Sequence, residues 1–187
     1  MRKILLLLSV IIFVAGCTSL PSDNMKTEMS AFKKEGMIAG TLSLEDKRLM
    51  SSYTLRYVQI AGPPSTTRFS DMLNAKTDDF VGNAGAVKFG YNQGDVQDGG
   101  KDIYLFNIVQ PAGKYRIVQL DIFHNSGSQM YQYFQSVPMD ITFDIEEGKT
   151  KYLGEINIAI KAQVVRMLDK IDRDRVLFRQ RIPGVKF

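Results

Sequence analysis

The stretch Tyr152-Leu153-Gly154-Glu155-Ile156-Asn157-Ile158-Ala159-Ile160 decides the fold. Tyr152, Gly154, Ile156, Ile158 and Ile160 fall on every second position, and successive side chains of a strand point to opposite faces. This is the cleanest alternation in the chain, and Glu146-Glu147-Gly148-Lys149 before it reads as a turn.

The same period recurs on both sides. Ile141, Phe143 and Ile145 alternate upstream, and Pro111-Ala112-Gly113-Lys114-Tyr115 turns into a long strand reaching about Phe123. The apolar phase of that strand switches between Ile117 and Val118, which marks a bulge. Ile103 to Val109 is apolar except at Asn107, as in a strand buried on both faces. Tyr53 to Ile60 is another strand, closed by Gly62-Pro63-Pro64. Ile38, Gly40, Leu42 and Leu44 alternate with Ala39, Thr41 and Ser43 in a half-buried first strand. Short alternating strands with Gly/Pro turns predict an antiparallel β-sandwich of about seven or eight strands, formed by residues 35–163.

Two regions break the rhythm. Residues 77–101 are loaded with Gly, Asn and Asp and hold one or two short strands such as Ala86 to Phe89. Residues 164–187 read as a charged helix: Val164, Leu168, Ile171, Phe178 and Ile182 share one face, and Pro183-Gly184 stops it. Asp169 with Arg173, and Lys170 with Asp174, are spaced four apart for surface pairing.

The N-terminus carries a different signal. Arg2 and Lys3 precede the apolar run Ile4 to Val14, which ends in Val14-Ala15-Gly16-Cys17. As a helix, eleven residues would reach only about 16 Å against a hydrocarbon layer of about 30 Å. The run is too short to span and suits a cleavable export signal. Its order resembles a bacterial lipoprotein signal, residues 1–16. The resemblance implies cleavage between Gly16 and Cys17, then acylation of Cys17 with two or three chains. Two or more chains hold a protein at a bilayer durably, because each buried methylene contributes about 0.8 kcal/mol. Thr18 stands where the family's inner-membrane retention signal places Asp. In a Gram-negative host the resemblance therefore implies the outer membrane, facing the periplasm. Residues 17–34 follow as a polar tether with Met25, Met29 and Phe32 at helical spacing. Fully extended, it would reach about 55–60 Å.

Composition narrows the function. The 187-residue chain carries a formal charge of +4, and removing Arg2 and Lys3 brings the mature protein to about +2. That balance does not recruit nucleic acid. Cys17 is the sole cysteine and His124 the sole histidine, which excludes an intramolecular disulfide and Cys- or His-based metal clusters. His124 next to Asn125-Ser126-Gly127 reads as the cap of a strand rather than a catalytic base, and no G-x-S-x-G elbow accompanies it. Asp95, Asp98 and Asp102 beside Gly99-Gly100 have oxygen ligands for Ca²⁺ but not the EF-hand spacing, and Lys101 would repel the ion. The Asp and Glu residues otherwise lie in turns or on the helix, so a paired-carboxylate hydrolase is the least favoured reading. No cofactor and no metal are expected.

Two turn-and-strand signatures, Pro111-Ala112-Gly113-Lys114-Tyr115 and Phe143-Asp144-Ile145 with Gly148-Lys149 and Tyr152-Leu153-Gly154, resemble the transthyretin-like, carboxypeptidase-regulatory-like sandwiches of bacterial envelope lipoproteins. The resemblance implies the sandwich but brings no catalytic residue with it. The expected function is non-enzymatic: a membrane-anchored module that contacts a protein or another envelope component. A small-ligand binder, with a pocket between the sheets or under residues 77–101, is the alternative. Arg173, Arg175 and Arg179 of the basic C-terminal segment are the candidate interaction residues.

Overall fold

The computed structural model describes residues 25–47, 50–62, 84–89, 94–125 and 132–187. The signal, Cys17 and parts of the 77–101 region lie outside these residues. Nine strands and one helix are described: β1 (Glu35–Glu45), β2 (Ser51–Ala61), β3 (Ala84–Phe89), β4 (Val96–Asp98), β5 (Lys101–Pro111), β6 (Gly113–Asn125), β7 (Gln132–Ile145), β8 (Thr150–Ala159), β9 (Val164–Leu168) and α1 (Ile171–Arg181).

They form two sheets, in the orders β4-β5-β1-β8-β9 and β3-β2-β6-β7. One core lies between them, with Ile38, Leu42 and Phe106 from the first sheet meeting Tyr53, Leu55, Tyr115, Ile117 and Leu120 from the second. Pairing is antiparallel throughout the described ladders except at β1–β8, which is parallel. This corrects the expectation of a purely antiparallel arrangement. Alternation reports which face a residue takes and not the direction of its neighbour. The bulge expected near Ile117 is present, as a register shift between Ile117 and Gln119.

Strand β1 is buried on both faces, not half-buried. Its inward residues Ile38, Leu42 and Leu44 join the main core. Its outward residues Met37 and Ala39 join a second apolar cluster with Leu105, Phe178, Ile182 and Val185. A helix laid on the outside of the sheet therefore makes β1 a central strand of three layers.

The tether also differs from expectation. Met25 and Met29 pack against this second cluster. Lys26 Nζ pairs with Glu35 Oε2 at 2.9 Å, and the Asn107 side-chain amide donates to the Lys26 carbonyl at 2.5 Å. Burial pushes the Glu35 carboxyl up, but the hydrogen bonds from Lys26 and Ser30 and the charges of Lys26 and Lys33 outweigh it and hold it below its usual value. Thus Met25, Lys26, Met29 and Ser30 of the expected tether make contacts to the domain, and residues 17–24 lie outside the described residues.

Residues 164–168 form β9 rather than the first turn of a helix. A turn over residues 161–163, with Gln163 at φ 54 and its N–H donating to the Ile160 carbonyl at 3.3 Å, folds the chain back along β8. The helix starts only at Ile171, where Asp169 Oδ1 accepts the Ile171 N–H at 3.1 Å. The surface pairs expected for Asp169 and Lys170 are replaced by this local bond and by tertiary contacts.

Candidate interaction site

The bulge in β8 creates the site. Register runs Ala39↔Tyr152 and then Gly40↔Gly154, so Leu153 is an extra residue and Gly154 takes φ 115. Leu153 packs toward the main core, and Tyr152 turns to the outer face instead of the inner face that simple alternation assigns. There its ring stacks on Phe187 at 5.0 Å and its hydroxyl donates to Asp174 Oδ2 at 2.6 Å.

Asp174 is fully buried beneath α1, on the stripe it shares with Phe178 and Ile182. Its Oδ2 also accepts from Thr41 Oγ1 at 2.7 Å, and its Oδ1 from Arg173 Nε at 2.7 Å. Arg173 reaches further: Nη2 lies 2.6 Å from Glu155 Oε2, and Nη1 donates to Asp98 Oδ2 at 2.9 Å. Ser43 Oγ donates to Glu155 Oε1 at 2.5 Å, and Asn157 Nδ2 to Ser43 Oγ at 2.9 Å. A buried polar band thus crosses β1 and β8 where the apolar cluster ends. Burial and the Asp174 hydrogen bond both raise the Tyr152 pKa, which keeps its phenol a proton donor. Burial alone would lower the Arg173 pKa, but its bonds to Asp174 and Asp98 dominate and raise it.

These contacts separate the three candidate arginines. The side chain of Arg173 is only 22% exposed, and its charge is paired with Asp98, Glu155 and Asp174. Arg175 and Arg179 are exposed one helical turn apart, and Val176 beside them is 49% exposed. Asp174, which the sequence reading placed in a surface pair, is the polar member of the buried stripe and the residue on which α1 is fastened.

The other candidates are also placed. His124 lies in β6, with Nδ1 3.1 Å from Ser51 Oγ on the paired strand β2. Ser51 is fully buried, so this is a bond between paired strands and not an open nucleophile. Asp95 Oδ2 accepts the Leu105 N–H at 2.9 Å, Asp102 Oδ1 accepts the Gly94 N–H at 3.1 Å, and Asp98 faces Arg173. The three carboxylates of that loop therefore serve different partners. Among the described residues no cluster of His, Cys, Asp and Glu is arranged to hold a metal ion. An open cleft of about 370 Å³ runs between β3 and β5, lined by residues including Met25, Val87, Phe89, Leu105 and Val109. Among the described residues no helix is long and apolar enough to cross a membrane.

No family model matches the chain, and no curated protein matches it. Among solved structures, a leucine-rich repeat protein from Bacteroides thetaiotaomicron VPI-5482 is similar at 14% sequence identity with a TM-score of 0.35. The match covers 67% of this chain and spans 14% of the length of that one, a likeness too slight to bear on fold or function.

Proposed function

We propose that this protein is a lipid-anchored envelope lipoprotein whose domain acts as a non-enzymatic interaction module. The anchor rests on the Val14-Ala15-Gly16-Cys17 signal, and the proposed location is the periplasmic face of an outer membrane. The transthyretin-like assignment belongs to the same proposal. The Pro111-Ala112-Gly113 turn that carries part of the resemblance links β5 of one sheet to β6 of the other.

The observation that carries the interaction reading is the way α1 is held. Asp174 and Arg173 lock its first turn to β1 and β8, while Phe178 and Ile182 seat the rest. The helix is thereby a rigid support for an outward strip of Arg175, Val176 and Arg179. The buried acids act as fasteners, with Asp174 and Glu155 both engaged by hydroxyl donors and by Arg173. A basic strip with one apolar residue at its centre suits an acidic protein partner, and confinement to the membrane raises the effective concentration of even weak contacts.

The test places a photo-crosslinking residue at position 176 in cells of the native host. A defined adduct is expected, with its yield falling several-fold on R175E/R179E charge reversal and at raised salt. Salt-independent labelling that survives the reversal would contradict the assignment.

A further inference from the structure

We propose that residues 25–30 are a strap that couples the anchored end of the chain to α1, so that undocking the strap loosens the helix while the sandwich stays folded. The inference rests on the proposed lipid anchor at Cys17 and the proposed interaction strip on α1.

The coupling comes from a shared foundation. The apolar cluster outside the first sheet is small. Met37, Ala39 and Leu105 form its floor, and Phe178, Ile182 and Val185, from α1 and the residues just after it, cover them. Met25 and Met29 pack against the same cluster, so the strap and the helix lie on one apolar bed. They also meet where α1 ends: a Cβ at position 184 would come within 3.3 Å of Thr27 Cβ. Segments that share one packed cluster are coupled energetically, and the loss of one weakens the seat of the other.

The strap is the weaker of the two. Residues 25–30 belong to no strand or helix, and Lys26, Thr27 and Glu28 are exposed. Polar pins hold it in place. The Asn107 side-chain amide donates to the Lys26 carbonyl at 2.5 Å. Glu35, buried at the start of β1, accepts from Lys26 Nζ at 2.9 Å and from the Ser30 N–H at 2.8 Å. The Lys26 side chain is 54% exposed, so solvent screens its pairing. Few buried apolar contacts and exposed hydrogen bonds are the marks of a segment that opens locally, without global unfolding.

The two ends of α1 respond differently. Asp174 and Arg173 fasten its first turn to Thr41, Tyr152 and Glu155. Its later turns are seated by Phe178 and Ile182 on the bed that the strap completes. The chain from Cys17 joins the strap at Met25, so a pull on the anchor acts on the strap before it reaches β1. A docked strap keeps Arg175, Val176 and Arg179 rigidly presented, and a strap drawn off withdraws that support.

The experiment uses the full-length protein in detergent micelles. Cleavage after Glu28 by a glutamate-specific protease reads the undocked strap, because cleavage follows the population of the open state. Hydrogen exchange of residues 175–182 reads the helix. K26A/N107A removes pins that lie away from α1 and is expected to raise both cleavage and exchange several-fold, with β2 and β6 unchanged. Coupling is reciprocal. D174A, which removes a carboxylate serving Thr41, Tyr152 and Arg173, should therefore speed cleavage after Glu28 as well. Faster cleavage with an unchanged helix, or a loosened helix with unchanged cleavage, would overturn the proposal. So would K26A/N107A leaving both at the parent value, or the sheets opening in step with strap and helix. Neither measurement needs a partner or lipid on Cys17, so failure of the coupling is distinct from failure of the strip or the anchor.

Discussion

Asp174→Ala is expected to cost the domain about 3–5 kcal/mol, the range measured when one partner of a buried ion pair is removed. A single carboxylate here accepts from Thr41, Tyr152 and Arg173, and it is fully buried. Its loss leaves two hydroxyls without their acceptor and removes one of the three carboxylates around Arg173. Urea denaturation should show the midpoint falling with little change in slope. Hydrogen exchange should show residues 171–181 opening before the sheets do. Asp172, exposed in the same first turn, is the control, and Asp172→Ala should stay within about 0.5 kcal/mol of the parent. Equal effects at the two positions would mean that α1 is held by its apolar stripe alone.

Phe106→Ala is the second large loss, at about 3–5 kcal/mol. Phe106 lies fully buried in β5, directly opposite Gly40 of β1 in the register. A Cβ at position 40 would come within 2.9 Å of the Phe106 ring, so the glycine leaves the space that the ring fills. The far side of the ring meets Phe89 edge-on, with centroids 6.4 Å apart and planes at 84°. Truncation therefore empties the centre of the core and removes an aromatic pair that stands between strands of different sheets. For a domain of this size the midpoint of thermal unfolding should fall by roughly 6–20 °C. A fall of only about 1 °C would show that this part of the core is loosely packed.

Much of this architecture is written in the sequence. The alternations at Ile141 to Ile145 and Ile156 to Ile160 fall within β7 and at β8, and the phase change after Ile117 is a true bulge. These features are local, since each depends on which residues of one strand face the core. The parallel β1–β8 ladder depends on the path of the whole chain, and periodicity carries no trace of it. Tyr152 was misplaced by the same logic. Leu153 is inserted by the match of β8 to β1, and Gly154 at φ 115 is its one local sign.

Val164 to Leu168 fits both periods. Val164, Leu168 and Ile171 suit a helix, while Val165 and Met167 alternate as in a strand. The turn that settles the matter places a non-glycine residue, Gln163, at positive φ, so the usual Gly or Asn marker is missing. The site was legible in one respect. Asp174 stands four residues before Phe178 and eight before Ile182, so an acid occupies the apolar stripe of the helix. Such an acid needs donors, and Thr41, Tyr152 and Arg173 supply them from distant parts of the chain. The sequence shows the demand but not the residues that meet it.

The anchor governs everything proposed for the function, because the α1 strip acts at the envelope only if the domain is held at a membrane. Mass spectrometry of the amino-terminal peptide, prepared from membranes of the native host, addresses it directly. The account predicts a chain beginning at Cys17 and heavier than its bare sequence by two or three acyl groups. A peptide that still begins at Met1, or one that begins at Cys17 with a free thiol and free amine, would contradict it.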